Sequence, residues 1–159
     1  SAIQIMQPDF YESVIEITER KCVSPQWIGL EITETSILKA VNTYEGVLSR
    51  LKRKGFHIIL DDFGTGYSSL HYLRELPIET IKIDRSFITA LGESPDGEGL
   101  LRLIIDITHV MNKRVVAEGV ETNEQLLFLT ENGCDMIQGY IFSCPLQEAD
   151  IHQSIDNEI

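Results

Sequence analysis

Five short apolar runs, each ending near a polar side chain and each followed by a helix-length segment, constrain what this chain can fold into. The runs are Trp27–Ile32, Phe56–Leu60, Thr80–Asp84, Arg114–Ala117 and Met136–Tyr140. Near-continuous apolar strands alternating with helices build a parallel sheet covered by helices, an α/β fold. In a parallel sheet all strand ends fall on one side. Glu31, Asp61 with Asp62, Lys82, Glu118 and Gln138 therefore share one rim.

The intervening segments read as helices. Asp9 is a candidate N-cap with Glu12 three residues on, and Phe10, Val14 and Ile17 give the following helix an apolar face. A second helix spans Thr43 to Lys54, with Tyr44, Val47, Leu48 and Leu51 on its apolar side. Lys52, Arg53 and Lys54 in its last turn complement the helix dipole, and Gly55 supplies a left-handed cap. A short helix covers Leu70–Leu76, a polar loop 92–99 and a long apolar helix Leu100–Met111. Thr122 and Gln125 form a capping box for a helix that Gly133 closes. Residues 147–158 read as an acidic helix or tail.

Asp61-Asp62 is the focus of the rim. Adjacent carboxylates repel unless a positive charge offsets them, and oxygen-only ligands suit magnesium, manganese or calcium. The other reading is a turn, since Asp and Gly both favour turns and Gly64-Thr65-Gly66 follows. No Gly-Lys-Ser/Thr follows, so the segment is not a phosphate loop. Acid, acid pair, lysine, acid and amide on one rim favour the cation.

Composition bounds the function further. At 159 residues the chain is one domain. Net charge is −12, with 8 basic against 11 acidic residues over 1–80 and 5 against 14 over 81–159. That balance argues against a nucleic-acid polymer as partner, which needs a basic footprint, but allows a small anion if metals supply positive charge. No stretch is long enough to span a membrane and no signal peptide is evident. Cys22, Cys134 and Cys144 have no zinc-type spacing and suit a reducing compartment. Cys22 and Cys134 read as buried hydrophobes.

Taken together, the motifs resemble the EAL-domain family of cyclic di-GMP phosphodiesterases. They are Leu30-Glu31-Ile32-Thr33-Glu34, Asp61-Asp62-Phe63-Gly64-Thr65-Gly66-Tyr67-Ser68-Ser69-Leu70, Lys82-Ile83-Asp84-Arg85-Ser86-Phe87, Glu118-Gly119-Val120-Glu121-Thr122 and Gln138-Gly139-Tyr140 with Phe142. The resemblance implies a (β/α)₈ TIM-like barrel. It implies hydrolysis of cyclic di-GMP to linear pGpG at a two-metal site of magnesium or manganese. It assigns Glu31 to one metal, Asp61 to a bridge between the two, and Asp62 to the second. Lys82 holds or polarises the attacking water. Glu118 ligates the second metal or acts as general base, and Gln138 orders water and substrate. Glu34 steadies the loop that Gly64 and Gly66 make mobile, or is only a helix N-terminal charge. Glu121 belongs with the substrate-side residues, and Asp84 is equally a helix N-cap.

The Glu-Ala-Leu motif that names the family, and an asparagine ligand, are absent from the sequence. Family spacing puts both upstream of Ser1-Ala2, a pair that is either native or a vector remnant. Residues 1–159 are thus expected to be the C-terminal portion of one EAL domain, a partial barrel of about five strand–helix units. The chain alone is expected to be inactive. Open edges at Trp27–Ile32 and Met136–Gln138, with Ile32, Ile81 and Val116 uncovered inside the barrel, lead to the expectation of a homodimer. Other signalling domains and a cytoplasmic location are expected of the parent protein, which could itself be membrane-attached. The rival reading is a degenerate EAL domain that binds cyclic di-GMP or a protein without hydrolysis.

Overall fold

A computed structural model describes residues 2–34, 36, 41–66, 70–92, 95–147 and 150–151. Two helices, α1 (Ala2–Ile5) and α2 (Phe10–Arg20), and a 3₁₀ turn at Pro25–Trp27 lead into β1 (Gly29–Thr33). There follow α3 (Val41–Arg53), β2 (His57–Phe63), α4 (Leu70–Glu75), β3 (Thr80–Ile83), α5 (Arg85–Thr89) and α6 (Pro95–Val110). The last elements are β4 (Arg114–Glu118), α7 (Asn123–Glu131) and β5 (Met136–Gln138). The strands form one sheet in the order β1-β2-β3-β4-β5, every pair parallel. An order that advances without reversal is that of barrel staves; an open doubly wound sheet reverses.

Alternation along each strand sends one set of side chains under the helices and the other to the opposite face. Ile58, Leu60, Ile81, Ile83, Val115 and Ala117 lie wholly buried under the helices. Glu31, Ile59, Thr80, Lys82 and Val116 line a concavity of about 450 Å³ on the other face. The expectation for Ile32 and Ile81 is corrected here: both are buried, and belong to the core with Leu48, Leu51 and Phe56. Val116 does face the concavity, as expected.

Other differences have local causes. β2 continues through Asp61-Asp62 to Phe63 instead of stopping at Leu60. α6 begins at Pro95, inside the segment read as a loop, because proline and acids suit a first helical turn. Asp9 precedes α2 without a side-chain capping bond. Ile17 is half exposed, and Thr18 takes the buried position by returning its hydroxyl to the carbonyls of Val14 and Ile15. Cys22 is exposed in a positive-φ turn and Cys134 only partly buried. The Thr122–Gln125 capping box is present, and Gly55 and Gly133 close α3 and α7 at positive φ. The side chain of Tyr44, residues 67–69 and most of 147–158 lie outside what can be described. Among the described residues no helix is long and apolar enough to cross a membrane.

Candidate active site

The site is built where β2 breaks its own alternation. Between Leu60, opposite Ile81, and Phe63, opposite Ile83, β2 carries one residue more than β3. The extra residue makes a bulge, and Asp62 sits at φ 56, a conformation non-glycine residues seldom adopt. In a regular strand Asp61 and Asp62 would point to opposite faces. With the bulge, oxygens of Asp61, Asp62 and Glu118 all come within 4.8 Å of one another. Local strain of this kind persists only where surrounding structure holds it, and it gathers at functional positions.

Lys82 rises from β3 into this group. Its Nζ lies 2.7 Å from Glu118 Oε1, 2.9 Å from Glu31 Oε1 and 3.3 Å from Asp61 Oδ1. Its side chain is 9% exposed. Burial alone would pull the ammonium's pKa down; hydrogen bonds to Glu118 and Glu31 and the charges of Glu118 and Asp61 outweigh it and hold the pKa well above the ordinary lysine value. Asp62 is pushed the other way. Burial raises its pKa first, the neighbouring charges of Asp61, Asp84 and Glu31 raise it further, and Lys82 offsets them only in part.

Four carboxylates against one ammonium leave the rim strongly negative. Asp61 Oδ1 is buried and has no hydrogen bond; Lys82 Nζ at 3.3 Å supplies charge without a directed N–H. An oxygen-only donor set with an orphaned buried carboxylate oxygen fits a hard divalent cation. Glu31 stands outside the Asp61–Asp62–Glu118 trio and joins it through Lys82.

The remaining predicted residues frame this centre. Glu34, almost wholly buried, accepts the N–H groups of Gly64 at 2.8 Å and Gly66 at 3.2 Å. Gly64 has φ 98, and a Cβ there would run into the Phe87 ring. A Cβ on Gly66 would lie 3.0 Å from Glu34 Oε1. Gln138 ends β5 in register with Glu118. Asp84 caps α5 through the Ser86 N–H at 3.0 Å. Beside Glu118 a cleft of about 320 Å³ opens, with Glu121 and Gln138 on its wall. Arg85, Gly119 and Tyr140 also line it. The sequence reading quoted these three within its motifs but gave them no site role, although each lies within two residues of a strand end or of its cap.

The EAL domain family model matches residues 1–145, and the chain belongs to that family. It is 40% identical over 142 residues to the cyclic di-GMP phosphodiesterase NbdA of Pseudomonas aeruginosa, covering 89% of this chain and 18% of NbdA. Among solved structures, the PaMucR phosphodiesterase in complex with c-di-GMP superposes with a TM-score of 0.91 at 36% identity, over 95% of this chain and 61% of that one. A manganese and cyclic di-GMP complex of Klebsiella pneumoniae BlrP1 gives a TM-score of 0.81 at 28% identity, over 89% of this chain and 36% of that one. The chain spans about a fifth of the length of the curated relatives it matches. The five-stranded sheet is thus a partial barrel of the TIM type, as the strand order implies.

Proposed function

We propose that the whole protein is a metal-dependent phosphodiesterase that hydrolyses cyclic di-GMP to linear pGpG in bacterial second-messenger signalling. The observation that carries this reading is the convergence of Asp61, Asp62 and Glu118 within 4.8 Å beside an ammonium. The similarity to the NbdA phosphodiesterase and to the PaMucR–c-di-GMP complex supports cyclic di-GMP as the substrate, and the BlrP1 manganese complex supports a divalent cation.

On this reading Glu31, Asp61, Asp62 and Glu118 would hold magnesium or manganese ions. Bound cations supply Lewis acidity, sharpening water as a nucleophile and neutralising charge that builds on the phosphoryl oxygens. The chain's own groups do the rest. Lys82 donates hydrogen bonds to the attacking water and adds positive charge beside the reacting phosphate. Glu118, 2.7 Å from Lys82 Nζ, is the proton acceptor within reach of a water that Lys82 holds. Gln138 orients water or substrate through its amide, and Glu121 accepts from the ligand. Glu34 fixes the Gly64–Gly66 turn beside Asp62. The protein acts in the cytoplasm alongside other signalling domains.

The test is hydrolysis of cyclic di-GMP by the whole protein in magnesium, manganese, calcium and chelator, with pGpG quantified. Cation-dependent pGpG release supports the reading. Tight binding with no pGpG in any cation would make the protein a receptor instead.

A further inference from the structure

The turn that follows Asp62 has two walls. One is Glu34, whose carboxylate accepts the Gly64 and Gly66 amides. The other is Phe87 on α5. A Cβ added at Gly64 would collide with Cε2 and Cζ of the Phe87 ring and lie 3.5 Å from its Cδ2. Gly64 is thus glycine on two counts, a φ of 98 and a ring edge where a side chain would stand. Phe87 is held in this place by its own element. Its N–H donates to the Asp84 carbonyl at 3.1 Å, and Asp84 caps α5 through the Ser86 amide. Anchoring α5 to the core falls to the next residue, Ile88, which is wholly buried. Phe87 stays only partly buried and packs on the same core cluster as Phe63.

Asp62 holds a positive φ that a non-glycine residue keeps only when its surroundings fix it. Hydrogen bonds to Glu34 fix where the turn's N–H groups point. They leave open how deep the backbone settles toward α5, since a glycine turn with space beneath it can sink. The ring closes that space, and close-packed contacts resist such shifts. We infer that Phe87 is a positioning residue for the cation centre: its ring is the floor of the Gly64 turn and keeps the Asp62 carboxylate beside Asp61 and Glu118. This rests on the divalent-cation reading above and adds to it a residue that acts through Asp62. Groups that hold a metal's ligands in place typically cost about 10- to 100-fold in affinity when removed.

The test uses the whole protein as wild type, Phe87→Ala, Phe87→Leu and Phe128→Ala, with manganese as the probe. Phe128 packs on the same core cluster from α7 and so reports what plain loss of packing does. Manganese dissociation constants come from the free-ion paramagnetic resonance signal, and Tm from melts in chelator. Phe87→Ala should weaken manganese binding about 10- to 100-fold and speed amide exchange at Gly64 and Gly66. The manganese needed for half-maximal turnover should rise by the same factor, while KM for cyclic di-GMP at saturating manganese holds. Phe87→Leu refills part of the space and should recover part of the affinity. Phe128→Ala should lower Tm in chelator and leave the manganese constant and both glycine amides alone. Wild-type manganese affinity in Phe87→Ala, or an equal loss in Phe128→Ala, overturns the proposal. Should Phe87→Ala not fold, Phe87→Leu decides: wild-type manganese affinity there overturns the proposal, and weaker binding with an unchanged KM supports it. Manganese binding by the wild type with an indifferent Phe87→Ala sinks only this inference. A wild type that binds no manganese sinks the functional reading and this inference with it.

Discussion

Glu34 and Gly64, thirty positions apart in sequence, meet across the rim: the Glu34 carboxylate accepts the Gly64 N–H at 2.8 Å and, with the same oxygen, the Gly66 N–H at 3.2 Å. One buried carboxylate at the end of β1 thus organises the turn after β2, directly behind the strained Asp62. The turn also folds back on itself, Thr65 donating its hydroxyl to the Asp62 carbonyl at 2.9 Å. Anything that loosens Glu34 should be felt at Asp62 before it is felt in the core.

Glu34→Ala should therefore leave two N–H groups short of an acceptor, at a cost of about 1–3 kcal/mol, most of it local. Amide exchange should report it: Gly64 and Gly66 should lose protection while Ile81 and Val115 in the sheet keep theirs. Glu34→Gln retains an acceptor oxygen and should sit between. Unchanged protection at both glycines in Glu34→Ala would show that the turn is held by other contacts.

Lys82→Met should destabilise the protein in chelator by about 1–3 kcal/mol, since it leaves Glu31, Asp61 and Glu118 mutually repelling. The figure lies between those of exposed pairs and of buried ones because the Glu31 side chain is 47% exposed while Lys82 is 9% exposed. In the whole protein the same change should abolish turnover. Magnesium should return part of the lost stability, because a cation replaces the missing charge. A Lys82→Met variant as stable as wild type in chelator would show that the ammonium contributes nothing to holding the acids together.

Cation binding itself should be visible as stability. A ligand at one hundred times its dissociation constant adds about 2.7 kcal/mol to the folded state. The wild type should gain that with manganese or magnesium in a thermal melt, and Asp61→Asn should lose most of the gain. Asp61 is the informative position because its buried Oδ1 has no hydrogen bond to lose. Equal metal-induced shifts in wild type and Asp61→Asn would remove Asp61 from the ligand set.

The rim was legible in the sequence because acids and a lysine at strand ends need no tertiary information to be grouped. What joins them was not. Asp61-Asp62 before Gly-x-Gly has the composition of a turn, and only pairing with β3 shows that the strand runs on through a bulge. Ile32 and Ile81 could have been placed by parity: each neighbours a rim residue, Glu31 or Lys82, so each must face the other way. The start of α6 was hidden by Pro95, Gly97 and Gly99, which weigh toward a loop until the acids Asp96 and Glu98 are read as a first helical turn. Arg85 was masked by its neighbour. Asp84 has a ready reading as a cap, Arg85 was quoted in its motif without a role, and nothing local shows that Gly119 opens a seat for it.

The opposite end of the sheet should set the acid limit of the fold. Asp135 accepts the Val115 N–H at 2.8 Å and pairs with His109 at 2.9 Å, tying β4 to the segment before β5 and to the end of α6. Glu79 likewise meets His57 at 2.8 Å and Lys52 at 3.4 Å. Burial raises the pKa of both acids, but the Val115 amide and His109 at Asp135, and His57 and Lys52 at Glu79, more than reverse it, so both sit below their ordinary values. A folded pKa below the unfolded one means stability that is complete above the unfolded carboxylate range, roughly 3.9 to 4.3, and is lost as pH falls through the folded values. Urea midpoints should therefore hold steady above about pH 5 and decline progressively below it. Asp135→Asn keeps an acceptor for Val115 but has no charge to titrate, so its midpoint should start lower and fall less steeply with acid. A variant whose acid slope matches the wild type would show that Asp135 does not contribute to the decline.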